Sequence, residues 1–391
     1  MNLKLTSRAR CLCRCGIMPV GLILLSLAST ASGQESTMDG KPAMVIAHRG
    51  ASGTFPEHTM EAYQRGIDEG ADFIEADLVS TKDGMLVARH EPMLSGTTDV
   101  ADRPEFASRR TTKRLDGKAI TDWFASDFTL AEIKTLRARQ SFPERDQSMN
   151  GRFNVPTLQE IIERVQAQSA HTGRPIGLYI EIKHSLYHSA LGLPIEGPLL
   201  ASLQDAGWTE KTSPLILQSF ETANLKTLRR ATRVRLVQLI GGDGMDDAGN
   251  VIQGATSTPF DWVITGEKRT AADLLNDAGL REIASYADGI GPWKAYLISA
   301  RRVDRNNDGK SDDVNADGLA DARDRISLPP SDLVKRAHAA GLFVHTWTLR
   351  NEPHRLYADY DGNPAREYRA LYQMGVDGVF SDFPAAAIKA R

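Results

Sequence analysis

Met44-Val45-Ile46-Ala47-His48-Arg49-Gly50, followed at a helix's distance by Phe73-Ile74-Glu75-Ala76-Asp77-Leu78, is the stretch that decides how this chain is read. Both are short apolar runs of strand type, and Thr59–Gly70 between them has the spacing of an amphipathic helix. Strand, helix, strand is a βαβ unit, which implies parallel pairing. The polar residues inside these runs are placed with a pattern. His48 and Arg49 end the first run, and Glu75 and Asp77 stand two apart in the second, so a strand points both to one face. A pair of oxygen ligands aimed together is how a hard cation is held. Pro56-Glu57-His58-Thr59 and Val87-Ala88-Arg89-His90 lie in the same stretch, which runs on to Pro92.

Working outward, the alternation continues. Strand-like runs occupy Ala43–Ala47, Asp72–Leu78, Gly177–Ile182, Pro214–Gln218, Val234–Ile240, Ser285–Gly291, Leu342–Thr348 and Gly375–Ser381. These make eight, the number required by an α/β (β/α)8 TIM barrel. Helical patterns at Thr157–Gln168, Ala223–Thr232, Ser331–Ala340 and Ala365–Met374 separate most of them, with Ser331 placed to cap its helix and Gly341 to end it. Met85–Arg89 follows the second run after only Thr81-Lys82-Asp83-Gly84, too short for a parallel crossover. It reads as an antiparallel flap that returns His90 towards Glu75 and Asp77. Residues 91–155 break the alternation, with one helical piece at Leu130–Arg139, and read as a small insertion on a βα loop.

The N-terminus has its own logic. Lys4, Arg8, Arg10 and Arg14 precede an apolar run from Gly16 to Ala28, and Ala31-Ser32-Gly33 follow, the pattern of a cleaved export signal over residues 1–33. The run is too short for a comfortable membrane span, which speaks against an uncleaved anchor. Residues 34–42 read as a linker and 43–391 as the barrel. All of the cysteines (Cys11, Cys13, Cys15) lie within the signal, so the mature chain has no disulfide. Cleavage also removes four positive and no negative charges, taking the net from −3 to −7. Such a chain has no electrostatic draw to nucleic acid or anionic lipid, and a periplasmic or secreted location is expected.

In a barrel the C-terminal strand ends share one mouth. There the sequence places His48 and Arg49, then Glu75 and Asp77, then Glu181 and Lys183, again two apart. Gln218-Ser219-Phe220, His345-Thr346-Trp347 and Ser381-Asp382-Phe383-Pro384 end later strands. Charges in apolar strands are costly unless paired or ligating a metal. Simple buried ion pairs, Glu181 with Lys183 or Asp77 with Arg49, are the bland explanation for any one of them, but not for the whole set converging. Nucleophile-elbow, zinc-helix, Walker and dinucleotide-binding signatures are absent. The ligands are all oxygen, which favours Ca²⁺ or Mg²⁺ over zinc.

The order His48-Arg49-Gly50, Pro56-Glu57-His58-Thr59, Glu75-x-Asp77, Lys82-Asp83-Gly84, His90, Glu181-x-Lys183, Gln218-Ser219-Phe220 and Ser381-Asp382-Phe383-Pro384 resembles the glycerophosphodiester phosphodiesterase family, in its exported bacterial type. The resemblance spans roughly residues 43–391. It implies metal-dependent hydrolysis of glycerophosphodiesters to sn-glycerol 3-phosphate and an alcohol. By the same resemblance Glu75, Asp77 and Glu181 would bind a divalent cation, Ca²⁺ with Mg²⁺ as the alternative. His48 and His90 would form the acid–base pair, one neutral and one protonated. Arg49 and Lys183 would hold phosphate oxygens, with Gln218 and Trp347 lining the substrate pocket. His58 departs from the asparagine most common at its motif position. Water or the substrate's own 2-hydroxyl is open as first nucleophile, and the latter suits a glycerol preference.

Asp304-x-Asn306-x-Asp308-Gly309 and Asp313-x-Asn315-x-Asp317-Gly318 both spell the first half of a calcium loop, without the glutamate at position twelve or flanking helices. A second calcium site over 304–324 is therefore expected. Trp293 and Lys294, just past the sixth strand, are further candidates for substrate contact. Rival activities on the same barrel are a phospholipase D- or sphingomyelinase-like hydrolase and a polyol-phosphate polymer hydrolase. A non-catalytic calcium-dependent binding protein is weaker, because the catalytic set has no visible defect.

Overall fold

Eight strands close into a parallel ring in the computed structural model, which describes residues 35–254, 257–306, 308 and 312–391. The expected signal over 1–33 lies outside the described residues. The barrel strands are β1 (Met44–Ala47), β2 (Phe73–Ser80), β3 (Gly177–Ile182), β4 (Leu215–Ser219), β5 (Arg235–Ile240), β6 (Gly289–Pro292), β7 (Phe343–Leu349) and β8 (Gly378–Ser381). Each pairs in parallel with the next, and β8 returns to β1 through Met44 opposite Gly378 and Ala47 opposite Ser381. Parity along the strands explains the layers. Ile74, Ala76 and Leu78 of β2 and Leu178, Ile180 and Ile182 of β3 face outward into the helix-covered core. Phe73 and Tyr179 face inward, packing with Ile46, Ile216, Val237 and Phe380 in the barrel's interior. Glu75, Asp77 and Glu181 have that same inward parity, which is why they meet.

Helices over Met60–Asp68, Leu158–Thr172, Thr222–Ala231, Leu333–Ala339 and Pro364–Gln373 stand where the sequence predicts them. Thr157 and Glu160 form a reciprocal capping box at the second. Three boundaries differ. Ser285 is the C-cap of a helix over Asp277–Ala284, so β6 begins only at Gly289. Gly375, at φ +78°, ends the preceding helix and delays β8 to Gly378. The helix before β7 starts at Leu333, and the Ser331 hydroxyl donates to the Tyr296 carbonyl instead of capping well. Short helices at Ser185–Ala190 and Glu196–Asp205 fill the β3–β4 crossover, where the sequence showed no clear period.

Leu86–Ala88 pairs antiparallel with the end of β2, Leu78 opposite Ala88, as the flap reading requires. The insertion after it has a core of its own, in which Leu94, Val100, Phe106, Trp123, Phe128 and Ile133 pack against Val79 and Val87. Its helical piece shrinks to Leu130–Ile133, and a hairpin of Thr111–Leu115 with Lys118–Asp122 stands over the barrel mouth. Asp116 (φ +48°) and Gly117 (φ +77°) turn it, the two positive φ values a tight hairpin turn demands. Among the described residues no helix is long and apolar enough to cross a membrane.

Candidate active site

The site starts from a sharp turn at the end of β1. Arg49 adopts φ +59° and Gly50 φ +82°, and a Cβ on Gly50 would lie 2.5 Å from the Ala62 carbonyl carbon, so glycine is required there. The turn directs the Arg49 backbone N–H at Glu75 Oε2 (2.7 Å), while its side chain donates to Glu57 Oε2 (3.0 Å) and lies 3.6 Å from Asp77 Oδ2. Arg49 thus pins β1 to the acidic row of β2.

Register builds that row. Asp77 is opposite Glu181 across β2–β3, and Glu181 is opposite Gln218 across β3–β4. Glu75, Asp77 and Glu181 are all buried, with one donor oxygen from each within 4.8 Å of the others. Burial and mutual repulsion push Glu75 well above the carboxylate range and Glu181 up to about 8. Asp77 is held low despite burial, by Lys183 and by its bond to His58. His58 Nε2 is 2.8 Å from Asp77 Oδ2 and its Nδ1 is 2.8 Å from the Tyr63 hydroxyl. Burial lowers His58 to about 4, so the ring is neutral: Nε2–H donates to Asp77 and Nδ1 accepts from Tyr63. Asp77 Oδ1 is buried with no protein partner. An orphaned carboxylate oxygen among three crowded carboxylates fits a divalent cation, which would supply the missing positive charge. Lys183 lies 2.8 Å from Glu181 Oε1, and Gln218 Nε2 donates to Glu75 Oε1 (3.4 Å).

His48 Nδ1 is 2.6 Å from Asp382 Oδ1, and Asp382 also accepts from Arg145 (2.6 Å) and Arg350 (2.9 Å). Those cations hold the Asp382 carboxyl far below its usual range. His48 Nδ1–H therefore donates, leaving Nε2 as the acceptor. Burial and Arg49 lower His48 to about 4. His90 is more open, its Nδ1 3.1 Å from Glu91 Oε1, and burial, Arg49 and Lys183 lower it too. Burial, with Arg49 and Arg350 near His48 and Arg49 and Lys183 near His90, lowers both rings in the free site.

One cavity of about 270 Å³ gathers these groups, lined by His48, Arg49, Glu75, His90, Glu181, Lys183 and Gln218, with Phe220, Trp293 and Trp347 as aromatic wall. Trp347 Nε1–H donates to the Gly291 carbonyl (2.7 Å), and its ring meets Phe220 edge-on at 5.8 Å.

A family model described as the glycerophosphoryl diester phosphodiesterase family matches residues 48–386. The chain belongs to that family. A glycerophosphodiester phosphodiesterase of Arabidopsis thaliana is 35% identical, with 86% of this chain and 83% of the relative covered. One of Haemophilus influenzae is 29% identical over 94% of each. Among solved structures, a glycerophosphoryl diester phosphodiesterase from Silicibacter pomeroyi superposes with a TM-score of 0.57 at 20% identity, covering 92% of this chain and 94% of that one. An Oleispira antarctica phosphodiesterase in complex with the product sn-glycerol 3-phosphate superposes with a TM-score of 0.52 at 20% identity, covering 91% and 99%. These structural likenesses carry the fold, a closed eight-stranded barrel; the relatives carry the enzyme class, glycerophosphodiester phosphodiesterase.

Several residues sit elsewhere than the sequence suggested. Lys294 turns from the mouth into an ion pair with Glu367 (2.5 Å), whereas its neighbour Trp293 does line the cavity. His345 lies deep in the barrel, 3.1 Å from the Tyr179 hydroxyl, and faces a cavity at the opposite end. Asn307, Gly309, Lys310 and Ser311 of the acidic loop lie outside the described residues. Asp304 and Asn306 accept from the Asp308 backbone, and Asp313 and Asn315 from that of Asp317, while Arg323 pairs with Asp317 and Asp321. Among the described residues only Glu75, Asp77 and Glu181 bring three histidine, cysteine or carboxylate donors this close. The identity of Asp382, Arg145 and Arg350 as a unit behind His48 was missed, although Ser381-Asp382-Phe383-Pro384 pointed to Asp382.

Proposed function

We propose that this enzyme hydrolyses glycerophosphodiesters to sn-glycerol 3-phosphate and an alcohol, with His48 and His90 as its acid–base pair. The observation that carries the reading is the single cavity into which two histidines, three cationic side chains and two of the three clustered carboxylates open. The product complex of the Oleispira phosphodiesterase supports the same substrate class.

Glu75, Asp77 and Glu181 would hold a divalent cation, Ca²⁺ with Mg²⁺ as the alternative, whose chemistry there is to neutralise charge developing on the phosphoryl oxygens. Arg49 and Lys183 add fixed positive charge to the same wall. His48, with Nδ1–H committed to Asp382, presents Nε2 as the base that takes a proton from the attacking hydroxyl. His90 borders a second, wider cavity as well as the first, so it is placed to protonate the alkoxide as it leaves in that direction. An anionic diester between them raises both histidines' affinity for a proton, which offsets the depression seen in the free site. Gln218 orients Glu75, and Trp347 walls the glycerol side.

The test is release of sn-glycerol 3-phosphate from glycerophosphocholine, with His48→Ala, Glu75→Ala and chelator as controls. Each general acid–base group supplies about 10²–10⁴ in rate, so His48→Ala should lose at least that lower bound. Full activity in both variants removes the assignment. A substrate without the 2-hydroxyl that was cleaved equally fast would exclude that hydroxyl as nucleophile.

Export to the periplasm or medium is part of the proposal, supported by the basic, apolar and small-residue order of residues 1–33. Fractionation of cells expressing the full chain, followed by N-terminal sequencing, checks it. A second calcium site at Asp304, Asn306, Asp308, Asp313, Asn315 and Asp317 is supported by the repeat alone. An Asp308→Ala/Asp317→Ala variant whose calcium-dependent rise in Tm equals the wild type's would refute it.

A further inference from the structure

The end of the barrel away from the catalytic carboxylates holds a cavity of about 680 Å³. We propose that it is a ligand site of its own, binding a monoanionic carboxylate that carries an apolar tail. Tyr179 sits one inward position below Glu181 on β3, in ring contact with His345 and Phe380. Phe380 borders the catalytic cavity and His345 borders this one, so the two spaces are separate.

Inward-facing side chains ordinarily fill a barrel of this kind in layers. Strand period puts Met44, Phe73, Arg235 and Phe343 in the lowest layer, two residues before Ile46, Glu75, Val237 and His345. Two further inward positions there are glycines. A Cβ on Gly177 would lie 2.1 Å from the Phe73 ring, and one on Gly289 would lie 2.3 Å from the Phe343 ring. Both rings therefore lie flat against bare backbone, and the space below His345 stays open. Met44 and Phe343 are left half-buried, an apolar wall with no protein packed over it.

The polar groups on that wall are short of one negative charge. Asp72 is paired with Arg391 at 2.7 Å, Asp39 with Lys41 at 3.3 Å and Asp377 with His338 at 2.8 Å. Arg174, in the loop before β3, directs its donors at the Ala71 and Ile67 carbonyls. Arg235 is different. Among the described residues it pairs with no carboxylate: Nη2 reaches only the Ser213 and Leu215 carbonyls, at 3.3 and 3.5 Å, and Nε is buried with no acceptor. Asp288, whose charge reaches it, is already bound by Arg229 and by Lys211 at 2.7 Å. A cation withdrawn from water without an anion is costly. Beside it stands His345, lowered to about 3 by burial and therefore neutral. The Tyr179 hydroxyl, 3.1 Å from Nδ1, has no other acceptor and donates there, which leaves His345 Nε2 as an N–H without a protein partner. One interior guanidinium and one neutral N–H suit a single negative charge, whereas a phosphate monoester brings close to two. Met44, Phe73 and Phe343 offer the ligand's tail an apolar surface.

The experiment is isothermal titration of the protein with octanoate. Octanoate should fill a single saturable site at concentrations where octanamide (same shape, neutral) and acetate (same charge, no tail) do not bind. Arg235→Met keeps packing against Phe73 and should weaken octanoate at least about tenfold. Thermal unfolding checks that the variant is folded, and its turnover of glycerophosphocholine should match the wild type's. Should the variant fail to fold, the comparison of octanoate with octanamide on the unaltered protein still decides. Octanoate should also leave KM for glycerophosphocholine unchanged. Octanamide or inorganic phosphate bound as tightly as octanoate, undiminished binding in folded Arg235→Met, or octanoate competing with glycerophosphocholine overturns the assignment.

Discussion

Asp382→Asn isolates the histidine–carboxylate pair without removing atoms from the cavity wall, since Asp382 itself does not line it. The carboxylate accepts from His48 Nδ1–H, Arg145 and Arg350. An asparagine can offer its oxygen to only one side. Two guanidinium donors outweigh one imidazole donor, so the amide oxygen turns to the arginines and its NH₂ faces His48 Nδ1. Nδ1 must then accept, which moves the ring proton to Nε2 and leaves no base towards the substrate. Loss of one charge-assisted hydrogen bond, about 1.5–3 kcal/mol, already corresponds to about 10- to 150-fold in rate. The tautomer reversal is the larger effect, on the order of 10⁴ in kcat where geometry is otherwise kept. The assay is steady-state release of sn-glycerol 3-phosphate, with KM expected within about twofold because no substrate contact is lost. Unfolding is followed in parallel, since Arg350 keeps an oxygen acceptor but loses the carboxylate charge, while Arg145 keeps the Glu352 carboxylate at 2.6 Å. A folded Asp382→Asn enzyme with kcat within about threefold of wild type refutes the reasoning.

Three shorter expectations follow from the same geometry. His58→Ala removes the donor that fixes Asp77 and should weaken divalent-cation affinity about 10- to 100-fold, whereas His58→Asn, which still offers an N–H, should keep most of it. Isothermal titration with Ca²⁺ and Mg²⁺ distinguishes them, and equal loss in both variants would reject a donor role. His184, raised to about 9 by Asp116 and Glu91 against burial, ties the insertion hairpin to the barrel. Its folded pKa exceeds the unfolded value of 6.5, so the stability it adds is complete below pH 6.5 and is lost as pH rises through about 9. Tm should therefore decline over that window in the wild type and show a flatter profile in His184→Gln; identical profiles would discard the clamp. His188 is fully buried with neither ring nitrogen bonded, so His188→Leu should stabilise by about 1–2 kcal/mol in urea unfolding, and a loss of stability would show that a bond had been broken.

How far the sequence reached is best judged residue by residue. Glu75, Asp77, Glu181 and Lys183 were legible because each pair stands two apart in an apolar run, and strand period alone then fixes a common face. Barrel closure was legible from eight such runs separated by helical patterns. Strand starts after glycine or after a helix were not, since an apolar run continues through a helix C-cap without changing composition, as at Ser285. Asp382 stood in a quoted motif, yet its partner depends on the closing pair of the barrel, where Ala47 lies opposite Ser381. No local pattern announces a contact across that separation. Arg145 was harder still, because it comes from the insertion, whose polar composition looked like a loop.

That last contact changes what the insertion is for. Arg145 stacks on Phe142 at 4.3 Å and reaches from the insertion to Asp382, while the hairpin carries Asp116 to His184 beside Lys183. One arm ends on Asp382 behind His48, and the other on His184, which meets Glu91 behind His90. A segment that only covered the mouth would need neither polar arm. Its small apolar core around Phe106, Trp123 and Phe128 gives those arms a rigid base, so the orientation of both histidines is set partly by residues outside the barrel. The same base carries Leu115 and Ile120 to the wall of the wider cavity that His90 also lines, which couples the shape of that cavity to the placement of His90.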